Sequence, residues 1–269
     1  MENYTFLLVL AAGIFIGLAV LVVRQNRRNR QLERLLDNTN AKLERLQIHF
    51  GRFAPQDVIE HLTEPDGRYA PSRRLVTVLF ADLIGFTRMC DKMDPAEVVL
   101  ILNGYFQCMS EAISNHHGRV TELTGDGLLA LFGALESNPW QAQDAVIGAL
   151  AMREALVRYN EELRSQSFPE LSFGVGIHQG EVLAGVMGND ELSKFGVVGD
   201  TINVAARVES LTREHQVDLL VSEAVRNKLD QRFSLRRMPP VPVKGKQDPL
   251  VTYLVEGLKT DTRKYGKYG

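Results

Sequence analysis

Residues 73–87 read RRLVTVLFADLIGFT, and the fold turns on them. Residues 75–81 are a continuous apolar run of strand length, the pattern of a central strand buried on both faces. Asp82 stands where that strand must stop, and Ile84, Gly85, Phe86 and Thr87 lead through a glycine turn into the next element. A carboxylate at a strand end can hold a divalent cation while the N–H groups of such a turn face an anion. It serves equally well as a plain helix cap.

Outward from this strand, residues 94–97 (DPAE) carry an N-cap Asp, a first-turn Pro and a capping-box Glu, predicting a helix to about residue 115. Two short strands, 119–124 and 127–132, follow about a Gly125-Asp126 turn. Asn138-Pro139 opens a long amphipathic helix with Ala145, Ala149, Met152, Leu156 and Tyr159 on its apolar face. Residues 171–177 and 181–186 read as a further strand pair. A helix runs from Gly199-Asp200 to about residue 212, and strands lie at 219–222 and 252–255. Hairpins and helices alternate irregularly. The expected fold is therefore α+β, a mixed and mostly antiparallel sheet covered by helices.

Asp126 changes the weight of Asp82. It sits in TGDGLLALFG, a tight turn whose glycines permit close backbone approach. If its strands neighbour the first, two carboxylates meet at one sheet edge and can share metals roughly 3.5–4 Å apart, as phosphoryl-transfer sites require. A Gly-Asp-Gly turn is also simply a good hairpin. Downstream, GVVGDTINVAARVESL places Asn203 and Arg207 four apart on one helical face. An Arg fork bridges phosphate oxygens and an amide fixes a hydroxyl, although the same pair suits a solvated polar face. Lys244, in PVKGK, is a phosphate contact or a surface lysine.

The N-terminal quarter is of another kind. Residues 4–23 (YTFLLVLAAGIFIGLAVLVV) hold no charge, and as a helix they span about 30 Å, a bilayer's hydrocarbon thickness. No basic residue precedes them and no A-x-A site follows, so a transmembrane helix is expected rather than a cleaved signal peptide. Arg24, Arg27, Arg28 and Arg30 come next and place the C-terminal side in the cytoplasm, with residues 1–3 outside. Leu32, Leu36, Thr39, Leu43, Leu46, Phe50 and Phe53 recur at alternating spacings of 4 and 3, the seam of a short coiled coil within residues 24–53, or the buried stripe of one amphipathic helix. A coupling helix and linker at 54–72, a catalytic domain at 73–257 and a tail at 258–269 complete the division.

Charge follows the same division. The net −2 is +3 in residues 1–50, which hold 7 basic and 4 acidic side chains, and −5 in the remainder. An acidic globular part excludes a general electrostatic grip on nucleic acid. A phosphate ligand would need metal ions or a few placed cations. Cys90 and Cys108 have no zinc-like or CxxC spacing and read as reduced packing thiols.

Residues 73–257 resemble the catalytic domain of the class III nucleotidyl cyclases, the adenylate and guanylate cyclases. FADLIGFT, ELTGDGLLALFG, GVGIHQGEVLAGVMG, GDTINVAARVES and VKGK match that family's motifs in order and spacing, and FGRFAPQDVIEHL resembles its upstream coupling segment. The resemblance implies a core of the ferredoxin-like, polymerase-palm kind. It further implies two Mg²⁺ or Mn²⁺ ions on Asp82 and Asp126, helped by the Leu83 carbonyl, and a triphosphate cradled by residues 84–87. Asn203 would orient the ribose, Arg207 would meet the α-phosphate and Lys244 the terminal phosphates. Family sites lie between two catalytic domains, so a homodimer with shared sites is expected, using GTP or ATP. A membrane-protein regulator is compatible with the anchor. A diguanylate cyclase would carry a Gly-Gly-Asp/Glu-Glu-Phe hairpin, which this turn is not.

The base is read, in the resembling family, four residues before the second metal Asp and seven before the Asn. ATP users usually have Lys there with Asp or Thr, and animal guanylate cyclases have Glu and Cys. Here the positions hold Glu122 and Gly196. An ionised carboxylate accepts only, so Glu122 matches the N1–H and N2 donors of guanine and opposes the bare N1 of adenine. Gly196 departs from both patterns and offers no side chain. GTP is the expected substrate and ATP the alternative.

Overall fold

The computed structural model describes residues 71–188, 193–242 and 249–259, together with eleven positions between 24 and 42. The chain divides into two units, Met1–Gly67 and Arg68–Gly269. In the first, every described position is helical and exposed, Leu36 among them. The helix expected at 24–53 is thus present where it is described, and its pairing into a coiled coil is not shown. Among the described residues no helix is long and apolar enough to cross a membrane. The span expected at 4–23 and the coupling segment at 54–70 lie outside them.

The second unit is one eight-stranded sheet with helices on both faces. Its strands are β1 (Ser72–Leu83), β2 (Arg119–Thr124), β3 (Gly127–Phe132), β4 (Phe173–Gly188), β5 (Ser193–Val198), β6 (Leu219–Ser222), β7 (Phe233–Arg237) and β8 (Thr252–Leu258). The helices are α1 (Phe86–Cys90), α2 (Pro95–Ser114), α3 (Gln141–Ser165), α4 (Asp200–His215) and α5 (Glu223–Arg226). The strand order is β2-β3-β1-β4-β6-β8-β7, with β5 on β4. Only β4 and β6 pair in parallel, so the sheet is mixed and mostly antiparallel, as expected.

Period-two alternation assigns the two faces. Leu79, Ala81, Ala130, Phe132, Val175 and Ile177 point to the side of α2 and α3, where they share a core with Ile101, Met109, Ala149 and Met152. The opposite face of β4 carries Gly174, Gly176 and Gly180, and α4 lies directly on them. A Cβ on Gly176 would stand 2.1 Å from the backbone N of Glu209, and one on Gly180 2.6 Å from Thr201 Oγ1. These glycines are fixed by contact with α4, Gly176 against its backbone and Gly174 and Gly180 against threonine side chains, not by turn geometry.

That contact explains one departure from the sequence reading. The expected pair 171–177 and 181–186 is a single 16-residue strand. His178-Gln179-Gly180 does not turn: Gln179 is buried and its Nε2 donates to Thr77 Oγ1 at 3.0 Å, while Gly180 makes room for Thr201. Caps fall close to the reading elsewhere. Asp94 accepts from Ala96 N at 2.8 Å, and Asn138 Oδ1 from Trp140 N at 2.8 Å just ahead of α3. Cys90 and Cys108 are free and half-buried.

Candidate active site

The two expected metal acids meet. β1 lies against β3 with Asp82 opposite Gly127, so the Gly125-Asp126 turn arches over the end of β1. Gly125 has φ 64 while Asp126 is not in the left-handed region, the type II′ pattern in which the first turn position favours Gly. Gly127 keeps the two carboxyl groups close, since a Cβ there would lie 3.0 Å from Asp82 Oδ1. The proximity is visible in the ionisation of Asp126. Burial raises its pKa, and the charge of Asp82 raises it further.

Beside them, Gly85 adopts φ 73 and opens α1. The N–H groups of Phe86, Thr87 and Arg88 open that helix and have no intrahelical acceptor. Ile84 differs: its N–H donates to Ser172 O at 2.8 Å, so it ties down the loop, and the N–H cradle begins at Gly85. Phe86 is buried in the core and anchors the turn.

Two residues not picked from the sequence complete this end. Arg213 of α4 is hydrogen-bonded through Nη2 to Asp82, and its Nη1 lies 3.3 Å from Glu209 Oε1. Glu209 is nine-tenths buried, and burial pushes its carboxyl up to about 7 against the opposing pull of Arg213, with Asp82 and Asp126 adding to the rise. The signal was present. Glu209 falls on the buried stripe of Ala205, Val208 and Thr212, where an unpaired charge is costly, and Arg213 is its i+4 partner.

Asn203 and Arg207 stand elsewhere. Asn203 is exposed, while Arg207 is half-buried, 3.1 Å from Glu214 Oε1 and 3.4 Å from Ser210 Oγ. At about 100° per residue, Glu209 and Arg213 lie roughly 160° and 120° round the helix from Arg207. The base-reading positions are also apart. Glu122 is half-buried on the edge strand β2, opposite Leu129 beside a bulge, at the level of Gly176 on β4. Gly196 on β5 pairs with Gly185. Because Leu183 pairs with both Arg73 and Val198, β1 and β5 flank β4 on opposite edges. Glu122 and Gly196 are therefore four strand steps apart in the order β2-β3-β1-β4-β5. Lys244 lies outside the described residues.

The donor set suits hard divalent cations. Asp82, Asp126 and the Leu83 carbonyl offer oxygen ligands, and the guanidinium on Asp82 shows that a cation is accommodated there. Among the described residues no three His, Cys, Asp or Glu side chains form a ready-made cage.

Comparison with known proteins agrees with this geometry. The sequence model of the adenylate and guanylate cyclase catalytic domain matches residues 68–257. The chain is 34% identical over 227 residues to an adenylate cyclase of Anabaena cylindrica, covering 80% of this chain and 44% of that protein. It is 30% identical over 211 residues to adenylate cyclase 1 of Rhizobium meliloti (strain 1021), covering 78% and 32%. The chain thus spans less than half the length of these curated relatives. The crystal structure of the guanylyl cyclase Cya2 superposes with a TM-score of 0.64 at 34% identity, covering 72% of this chain and 97% of that one. The chain belongs to the adenylate and guanylate cyclase catalytic domain family.

Proposed function

We propose that this cyclase-family chain is a membrane-anchored, homodimeric nucleotidyl cyclase that converts a purine nucleoside triphosphate to its 3′,5′-cyclic monophosphate and pyrophosphate. The observation that carries the reading is the pair Asp82 and Asp126, brought together at the end of β1 while Gly196 pairs eleven residues farther along β4 than Asp82. That separation is about 36 Å of strand. Each chain thus holds two half-sites, and two copies related by a twofold axis make two whole ones. Leu75, Leu183 and Val198, exposed neighbours on the sheet face that also carries Gly196, form an apolar surface suited to a second copy.

In the reaction the substrate's own 3′-oxygen attacks the α-phosphorus in line, its proton is lost, and the bond to the pyrophosphate oxygen breaks. Asp82 and Asp126 would hold the divalent cations, whose charge would neutralise the phosphates and acidify the 3′-hydroxyl. The turn at 85–87 presents N–H groups to the triphosphate. Asn203 of the facing chain fixes the ribose, and the Arg207 fork stabilises charge gathering on the α-phosphate. Lys244 contacts the terminal phosphates. No covalent enzyme intermediate is needed, since the catalysis lies in positioning and charge.

Glu122 favours GTP through its acceptor-only carboxylate. ATP is the second reading, because the relatives from Anabaena and Rhizobium are named adenylate cyclases. Residues 4–23 anchor the chain with its catalytic domain in the cytoplasm, and the 32–53 seam holds two chains together. The test is direct: the full chain is assayed with GTP and with ATP, in Mg²⁺ and in Mn²⁺, beside Glu122→Lys. Cyclic GMP as the main product, with the GTP/ATP ratio falling at least tenfold (about 1.4 kcal/mol) in the variant, supports the reading. An unchanged ratio removes Glu122 from base recognition, and no cyclic product from either nucleotide removes the activity.

A further inference from the structure

Arg213 sits where a metal ion is needed. Its guanidinium bonds Asp82, and among the described residues one other carboxylate lies in an ion pair with it, Glu209 at 3.3 Å. Glu209 is nine-tenths buried, and its Oε1 accepts no hydrogen bond despite that nearby cation. The space about this oxygen is kept by Gly174, where a Cβ would lie 3.1 Å away. Arg213 itself is two-fifths exposed and has room to swing. One guanidinium therefore has two carboxylates to serve, Asp82, which it bonds, and Glu209, whose Oε1 has acceptor capacity to spare.

A divalent cation on Asp82 would lie against the Arg213 guanidinium that already bonds this carboxylate, and the two positive charges repel at that range. We propose that Arg213 is a tethered counter-ion that neutralises Asp82 in the metal-free chain, competes with the entering divalent cation, and retreats onto Glu209 as the metal binds. Glu209 is then a positioning residue: it touches neither substrate nor metal and sets how readily Asp82 is released. This rests on the reading of Asp82 and Asp126 as the metal pair.

Binding of Mn²⁺ alone to the full chain, followed as the free-ion signal in electron paramagnetic resonance, separates the possibilities. Arg213→Gln is expected to bind Mn²⁺ about fivefold tighter, the worth of a half-exposed ion pair, and Arg213→Lys about twofold tighter. Glu209→Gln is expected to weaken binding in the wild-type background and to have almost no effect in the Arg213→Gln background, because no guanidinium is left to receive. Equal effects of Glu209→Gln in both backgrounds would mean that the two charges act independently and would overturn the proposal. So would unchanged or weaker binding by Arg213→Gln. If circular dichroism shows that variant unfolded, the same comparison is made with the equally neutral Arg213→Met. Wild-type binding that survives Asp126→Ala would instead overturn the metal assignment beneath it.

Discussion

Glu209 is a carboxyl held well above its ordinary range by burial. Its carboxyl ionises near 7 in the folded chain against 4.5 when unperturbed, chiefly because it is buried. Between those values the folded state holds more protons than the unfolded one, so stability falls as pH rises through that window and is flat above it. The shift of Asp126 has the same sign. With metals chelated, the melting temperature of the wild type should decline from about pH 5 to 7 more steeply than that of Glu209→Gln, as calorimetry across the window would show. Parallel declines would mean that another group carries the linkage. Asp82 and Asp126 were legible in the sequence because each marks a strand end or a tight turn. Glu209 was not singled out, since a single glutamate in a helix looks like surface until its place on the buried stripe is weighed.

Among the elements, the contact of α4 with β4 decides how the site is held. Gly176 faces the helix backbone so closely that an added methyl cannot fit without moving α4. Gly176→Ala should cost about 2–3 kcal/mol as an overpacking change and lower the melting temperature by roughly 5–10 °C. Because Glu209, Arg213, Asn203 and Arg207 ride on that helix, turnover should fall with it. A variant as stable and as active as wild type would show that α4 can slide freely. Periodicity and caps found α2, α3 and α4 to within a few residues, for those signals are local. β4 was split in the reading because His178-Gln179-Gly180 has the composition of a turn, and its straightness comes from Gln179 bonding Thr77 and from Gly180 meeting Thr201, contacts between distant segments. The strands β5 and β7 went unread for a related reason. Each is short and takes its hydrogen bonds from one neighbour, β4 or β8.

At the scale of the whole molecule, the single chain is divided against itself: Asp82 with Asp126 and Asn203 with Arg207 face different directions. Mixing inactive Asp82→Ala chains with inactive Arg207→Ala chains should therefore restore activity. Random pairing makes half the dimers mixed, each with one intact site of two, so recovery should approach roughly a quarter of wild type. No recovery from demonstrated heterodimers would place both half-sites within one chain. Disrupting the 32–53 seam should reduce activity in the same assay by lowering the dimer population.

The sequence by itself determined the strand-turn motif at 73–87, the main helices, the acidic character of the globular part and the identity of the residues fit for phosphate chemistry. These are carried by periodicity, caps and side-chain type, which act over a few residues. Only the tertiary structure decided that Asp82 and Asp126 converge, that Arg213 fills the space between Asp82 and Glu209, and that Glu122 and Gly196 stand on strands on opposite sides of β4. Strand pairing and helix seating join residues more than a hundred positions apart, and no local pattern encodes which carboxylate will face which cation.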